Sequence, residues 1–346
     1  MECADHESDC KDLGLPPCIG SPSLLDLKRY TVVFPDSSSD AVGFNACAHR
    51  AAEVLRVEGF TIIANALATE DVLSVLETCQ AVEAEILDHD PDRIGCRDFG
   101  RYSFASIVKS GSMLHHPAWG PLLDCEAVHE VLDAALPAGW LFYSGGGDFV
   151  RGGTENFQGL HSDVSVGTVP YELRKYWPAP TLTVNFAIQQ IDTADFGPLR
   201  VIPRRKLVSS ASGNYPPLHL DEDEDLRRSL VYPLPAGAAI IRDHRLWHSG
   251  SPNITTETRF LPGIEVCSQA YADRSSWRDW QQTLCPNVYD TLSRRCQHRC
   301  WYIVARNNAD IPQGIRSNFH CIQATYKKGS GRDWKQAYWP QSSWSD

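Results

Sequence analysis

The pattern that most constrains this chain is His161-Ser-Asp163, followed 85 residues after Asp163 by His248. On an extended strand, residues two apart point to one face, so His161 and Asp163 can reach a common point. His248 can join them only if a second strand returns to the first, which favours a fold that pairs distant strands. Two neutral imidazoles and one carboxylate on one face form the set that holds a non-haem Fe(II). Such a set leaves positions open for a co-substrate and O2. Arg259 lies eleven residues beyond His248. Its planar cation suits a dicarboxylate such as 2-oxoglutarate. His-x-Asp alone arises by chance; the order, the flanking strand-like runs and the spaced arginine make the pattern specific.

Two histidines compete for the third position, His244 and His248. His248 is favoured because Ser249 and Gly250 follow it and leave room for a ligand, and because its spacing to Arg259 fits. His244 then has a supporting role. An arginine at the start of a strand entering a barrel is costly to bury unpaired, and a bound dicarboxylate would offset that cost.

The remaining chain reads as a helical start followed by strands. Residues 1–25 lack periodicity and read as a loose tail. Leu27–Phe34 reads as a first strand. Ala46–Glu58 reads as a helix stopped by Gly59, and Phe60–Ile63 as a strand. Thr69 is a candidate N-cap for a long helix bearing Val72, Val75, Cys79 and Ile86 on one side. Cys125–Leu136 reads as another helix. The helical part thus covers 46–136.

From Trp140 the character changes to short strand-like runs separated by Gly and Pro. Candidates are Trp140–Tyr143, Phe157–Val166, Thr181–Gln190, Leu199–Ile202, Ala238–Arg242 and Arg259–Val266. Without βαβ alternation, these predict an α+β chain with a double-stranded β-helix over 140–267 (a jelly roll, cupin-like), flanked by helices. Residues 268–346, rich in Trp and charge, read as a helical and irregular extension packed on a core domain of 26–267.

At this point several motifs together resemble the phytanoyl-CoA dioxygenase family of Fe(II)/2-oxoglutarate oxygenases. They are Gly100-Arg-Tyr-Ser-Phe104, Gly145-Gly-Gly-Asp148, Gln158-Gly-Leu-His-Ser-Asp163, Gly197-Pro-Leu-Arg-Val-Ile-Pro203, Trp247-His-Ser-Gly250 with Asn253, and Arg259. The resemblance spans roughly Glu53 to Val266. Pro203-Arg-Arg-Lys206 departs from the Pro-Gly-Ser-His that the family often carries there. The resemblance implies that His161, Asp163 and His248 bind iron and that Arg259 holds the distal carboxylate of 2-oxoglutarate. It places Gln158, Asn185 and Ser251 as further co-substrate contacts. The implied reaction is hydroxylation of a C–H bond in a small lipid-like or secondary-metabolite molecule, with release of succinate and CO2. Halogenation is disfavoured, since it needs a small residue in place of Asp163. A different reading is a non-catalytic jelly-roll binding protein that keeps the metal site.

Composition narrows the partners. The net charge of −11 argues against nucleic acid. No apolar stretch is long enough to span a bilayer. The start, Met1-Glu2-Cys3-Ala4-Asp5, does not read as a secretory signal, and the twelve cysteines then read as reduced thiols in the cytoplasm. Gly145-Gly-Gly147 and Gly152-Gly153 read as hairpin turns rather than a phosphate loop. Cys296 and Cys300, with His320 and Cys321, match no common zinc spacing and read as helix thiols. Trp277, Trp280 and Trp301 read as core or lid packing, Asp221–Asp225 as a solvated loop, and Arg204, Arg205 and Lys206 as an exposed turn or an anion contact. Substrate shape is expected to depend on loops around Phe99–Ser106, Tyr171–Trp177 and Ser209–Leu226.

Overall fold

Strand alternation sorts this chain's side chains between two apolar clusters. The computed structural model describes residues 28–35, 41–155, 158, 160–163, 181–204, 229–274 and 281–316. The strands are β1 (Thr31–Val32), β2 (Phe60–Ile63), β3 (Arg101–Ser103), β4 (Trp140–Val150), β5 (Thr181–Phe186), β6 (Leu199–Val201), β7 (Leu230–Val231), β8 (Ala239–Asp243), β9 (His248–Gly250) and β10 (Arg259–Ser268). Seven of them form one sheet in the order β1-β2-β8-β5-β10-β4-β3, and β7-β6-β9 form a second. Among the paired strands of the described residues, only β1–β2 is parallel. The result is a mixed helix-and-strand chain with a large, mostly antiparallel sheet.

Within β8, Ala239 and Ile241 join the larger cluster while Ile240 joins the smaller. The larger cluster fills the space between the big sheet and the helices α1 (Ala41–Glu58), α2 (Thr69–His89) and α3 (Glu126–Ala135). The smaller cluster includes Phe60, Ile62, Ile240 and Leu261 with Leu199, Val201 and Leu230 of the second sheet. The face bearing the smaller cluster also carries polar residues. Register places Phe60, Arg242, Thr183, Glu265 and Ser144 in one row across five strands. Residues directly opposite in such a row share a face.

Local signals held in part. Gly59 ends α1 at φ +84°, its N–H donating to Leu55 O at 2.9 Å; a β-carbon is strained in that conformation. α1 begins at Ala41 rather than Ala46. Thr69 is the first residue of α2, and Ala68 holds the cap position with no side-chain bond. Glu70 and Asp71 still occupy the first turn, where carboxylates favour the helix dipole.

Gly145-Gly-Gly147 is not a turn, because β4 runs straight through it. A β-carbon on Gly145 would lie 2.4 Å from Leu114, and one on Gly147 would lie 2.1 Å from Leu261 O. Close approach of neighbours at Gly145, and close approach together with a φ of +86° at Gly147, require glycine there rather than chain reversal. Around Phe157–Val166 the described residues make a single bridge at His161 rather than a strand.

The described C-terminal residues contact the rest through α4 (Arg294–Cys300) and through Gly314 and Arg316, which bond to the backbone at 107–109. Arg295 pairs with Glu130 and Asp133, and Arg299 lies 4.9 Å over the Trp140 ring. Trp301 is 55% exposed rather than packed in the core. Among the described residues, no helix is long and apolar enough to cross a membrane. The tail 1–25, the acidic run 221–225, Arg205, Lys206, Trp277, Trp280, His320 and Cys321 lie outside the described residues, as do the loops 171–177 and 209–226.

Candidate metal centre

β9 and the segment carrying Asp163 are tied together by their backbones. His161 N–H donates to His248 O at 3.0 Å, and His248 N–H donates back to His161 O at 2.9 Å. Asp163 N–H donates to His244 O at 2.9 Å. These bonds bring the two imidazoles to a centroid separation of 4.4 Å. Asp163 Oδ1 lies 3.6 Å from His161 Nε2 and 3.6 Å from His248 Nε2. Both separations are too long for hydrogen bonds. Both are shorter than two metal–ligand bonds of about 2.0–2.2 Å end to end. The three residues predicted to act together therefore meet around one point that a cation fits.

The protonation states suit a metal. His248 Nδ1 lies 2.9 Å from Leu246 O, so it carries the proton and leaves the Nε2 lone pair toward Asp163. The 3.5 Å approach of Arg242 Nη1 to the same Nδ1 is then packing of two donors. Burial, with Arg242 next, holds the His248 pKa well below its ordinary value against the opposing pull of Asp163, which keeps the ring neutral. For Asp163 burial opposes the charge. Arg242, foremost among its charged neighbours, outweighs it and holds the carboxyl well below the usual range. Asp163 Oδ2 accepts from Arg242 Nη1 at 2.5 Å.

His244 takes the supporting role expected of it. Its Nε2 lies 2.5 Å from Thr183 Oγ1, while its carbonyl accepts from Asp163 N–H and from Ser162 Oγ at 3.1 Å.

A second group of charges lies toward the far end of the big sheet. Arg259 on β10 and Arg101 on β3 face Val150 of β4 from opposite sides, so their side chains share a face. Arg259 is 2% exposed. Its Nε donates to Gly197 O at 2.9 Å, yet its Nη1 is buried with no hydrogen-bond partner among the described residues. Arg101 Nη2 donates to Ser251 O at 2.7 Å. Burial and the neighbouring Arg101 push the Arg259 pKa down to about 9, with Asp148 pulling the other way. Burial brings Arg101 to about 10. Asp98 and Asp148 both act on Arg101, and Asp148 also acts on Arg259.

Gln158 joins this region: its Oε1 accepts from Gly250 N–H at 3.2 Å. Ser251 Oγ is buried with no partner among the described residues. Asn185 lies mid-sheet on β5, its Nδ2 3.5 Å from Leu261 O, with no contact to either arginine shown. Arg101 and Arg242 are the two site residues that sequence reasoning did not single out.

Other candidate chemistry is accounted for by packing. Arg204 Nη2 donates to the buried Asp243 at 2.9 Å, so it is an internal ion-pair partner. Asp124, His129 and Cys296 also stand within 4.8 Å of one another. Their bonds are already made: Asp124 accepts from Ser293 at 2.5 and 2.6 Å, and His129 Nε2 meets Leu123 O at 2.6 Å. Cys296 and Cys300 are free thiols on α4.

No protein-family model matches this chain, and no curated protein does. Among solved structures, it is similar to a non-heme monooxygenase, ThoJ, in complex with nickel, at 18% identity, TM-score 0.45, covering 63% of this chain and 76% of that one. The epimerase SnoN, in complex with Fe3+, alpha ketoglutarate and nogalamycin RO, gives 14%, 0.47, 64% and 84%. EctD from S. alaskensis, with 2-oxoglutarate and 5-hydroxyectoine, gives 15%, 0.46, 64% and 76%. Identities this low and TM-scores below 0.5 leave the chemistry to be read from the site itself.

Proposed function

We propose that this chain is an Fe(II)- and 2-oxoglutarate-dependent dioxygenase. It would hydroxylate a C–H bond of a small organic molecule, lipid-like or secondary-metabolite in kind. Its scaffold would be a double-stranded β-helix of the phytanoyl-CoA dioxygenase type over 26–267, carrying 268–346 as an extension. One observation carries the reading. A two-histidine, one-carboxylate set stands on the same sheet-lined interior as a buried arginine whose Nη1 is unpaired among the described residues. A buried charge of that kind is costly unless a ligand completes it.

In this reading His161, Asp163 and His248 hold the iron. Iron with 2-oxoglutarate and O2 supplies the oxidation, with release of succinate and CO2. Arg259 takes the distal carboxylate, and Arg101 adds a second donor beside it. Gln158, Ser251 and Asn185 are the further co-substrate contacts of this reading. Cytoplasmic residence fits the described cysteines, all of which are free.

The test is succinate formation by purified protein supplied with Fe(II), ascorbate and 2-oxoglutarate under air, read by mass spectrometry with a panel of small organic molecules. Succinate that depends on Fe(II) and disappears in Asp163→Ala is the expected result. No succinate from folded protein, together with no binding of 2-oxoglutarate, contradicts the reading.

A further inference from the structure

We propose that Arg242 is a positioning residue that fixes Asp163 as a one-oxygen ligand. This rests on the metal-site reading above. The two carboxylate oxygens of Asp163 face different neighbours. Oδ1 stands 3.6 Å from each histidine Nε2, while Oδ2 takes a charge-assisted bond of 2.5 Å from Arg242 Nη1. Among the described residues, no other hydrogen bond reaches this carboxylate.

The two partners differ in burial. The Asp163 side chain is 28% exposed and that of Arg242 is 10% exposed. Arg242 rises from β8 in the middle of the big sheet, between its register partners Phe60 and Thr183. Arg242, the more buried member of the pair, stands behind the more exposed Asp163. Its bond to Oδ2 occupies the oxygen that would otherwise swing toward the cation.

The proposed chemistry needs that restraint. A carboxylate can bind a metal through one oxygen or two. With two histidines and one carboxylate oxygen, a six-coordinate ion keeps three positions, enough for a chelating 2-oxo acid and O2. If Asp163 bound through both oxygens, one of those positions would be lost. Arg242 carries a positive charge toward the cation, so its removal does not simply weaken metal binding. It frees Oδ2 and changes how the carboxylate binds.

The experiment uses Co(II), whose visible absorption reports coordination number, and 2-oxoglutarate titrated into Co(II)-loaded protein. The proteins are wild type, Arg242→Met, Arg242→Lys and Asp163→Ala. The expected result is a changed Co(II) spectrum in Arg242→Met and 2-oxoglutarate affinity weaker by about tenfold or more. Arg242→Lys, which keeps a charged donor, restores both. If Arg242→Met does not fold, Arg242→Gln replaces it with the same expectation in weaker form. A wild-type spectrum and affinity in the folded neutral variant overturns the role of Arg242, provided Asp163→Ala loses Co(II). No Co(II) binding by wild type overturns the metal reading as well.

Discussion

The Arg101 guanidinium fills the space beside the α-carbon of Gly250. A β-carbon there would lie 2.5 Å from Arg101 Nη1 and 3.3 Å from Gln158 Oε1. Gly250 stands two residues beyond His248 on β9, so this contact couples the metal strand to the arginine pair. Gly250→Ala is expected to push Arg101 off its bond to Ser251 O. Crowding of this kind costs about 1–3 kcal/mol. The melting temperature should fall by a few degrees, roughly, and 2-oxoglutarate affinity by about tenfold. Thermal melts and calorimetric titration check it; unchanged affinity argues against a role for Arg101.

Arg259→Met separates stability from binding. Replacing this buried charge with an apolar side chain of similar length removes a desolvation cost but also the bond to Gly197 O, so the two effects, each about 1–3 kcal/mol, largely offset. The ligand-free variant is expected to melt near the wild-type temperature. Its 2-oxoglutarate affinity should drop by on the order of 100-fold, because the charge that pairs with the carboxylate is gone. A destabilised variant that still binds normally would show Arg259 to be structural.

The same residue sets a pH expectation. Burial lowers the Arg259 pKa from its ordinary value, yet a guanidinium keeps its proton across the working range. The wild type is therefore expected to hold 2-oxoglutarate with level affinity from pH 7 to 9. In Arg259→Lys the buried ammonium loses its proton more readily, and affinity should fall as pH rises, by up to about tenfold per unit. Titration of both proteins across that range checks it; a variant whose profile stays as level as the wild type contradicts the assignment.

Thr183→Val tests the support behind Asp163. The variant leaves buried His244 Nε2 without its 2.5 Å partner, which costs about 1–3 kcal/mol. Because the His244 carbonyl accepts from Asp163 N–H, metal affinity should weaken with stability. Thr183→Ser, which keeps the hydroxyl, should recover most of both. Denaturant melts and Mn(II) binding monitor the pair.

How much was legible in the sequence depends on how local each signal is. The spacing of His161 and Asp163, the glycine stop at Gly59 and the strand-like runs are short-range features, and the structure brings the three proposed ligands together. Arg101 was hidden because its partner, Ser251, is 150 residues away. Only the β3–β4–β10 register sets it beside Arg259. Arg242 was hidden for the same reason: as one of several arginines near His248, its meaning depends on which face of β8 it occupies. Gly145-Gly-Gly147 misled because glycine marks both turns and close packing, and only the neighbours Leu114 and Leu261 tell which applies.

The most direct test is an anaerobic titration of metal-free protein with Fe(II) and 2-oxoglutarate, followed by visible absorption. Chelation of the 2-oxo acid to iron produces a charge-transfer band. The account predicts that band in the wild type, its loss in Asp163→Ala and its weakening in Arg259→Ala. Folded wild-type protein that shows no band at saturating Fe(II) and 2-oxoglutarate would contradict it.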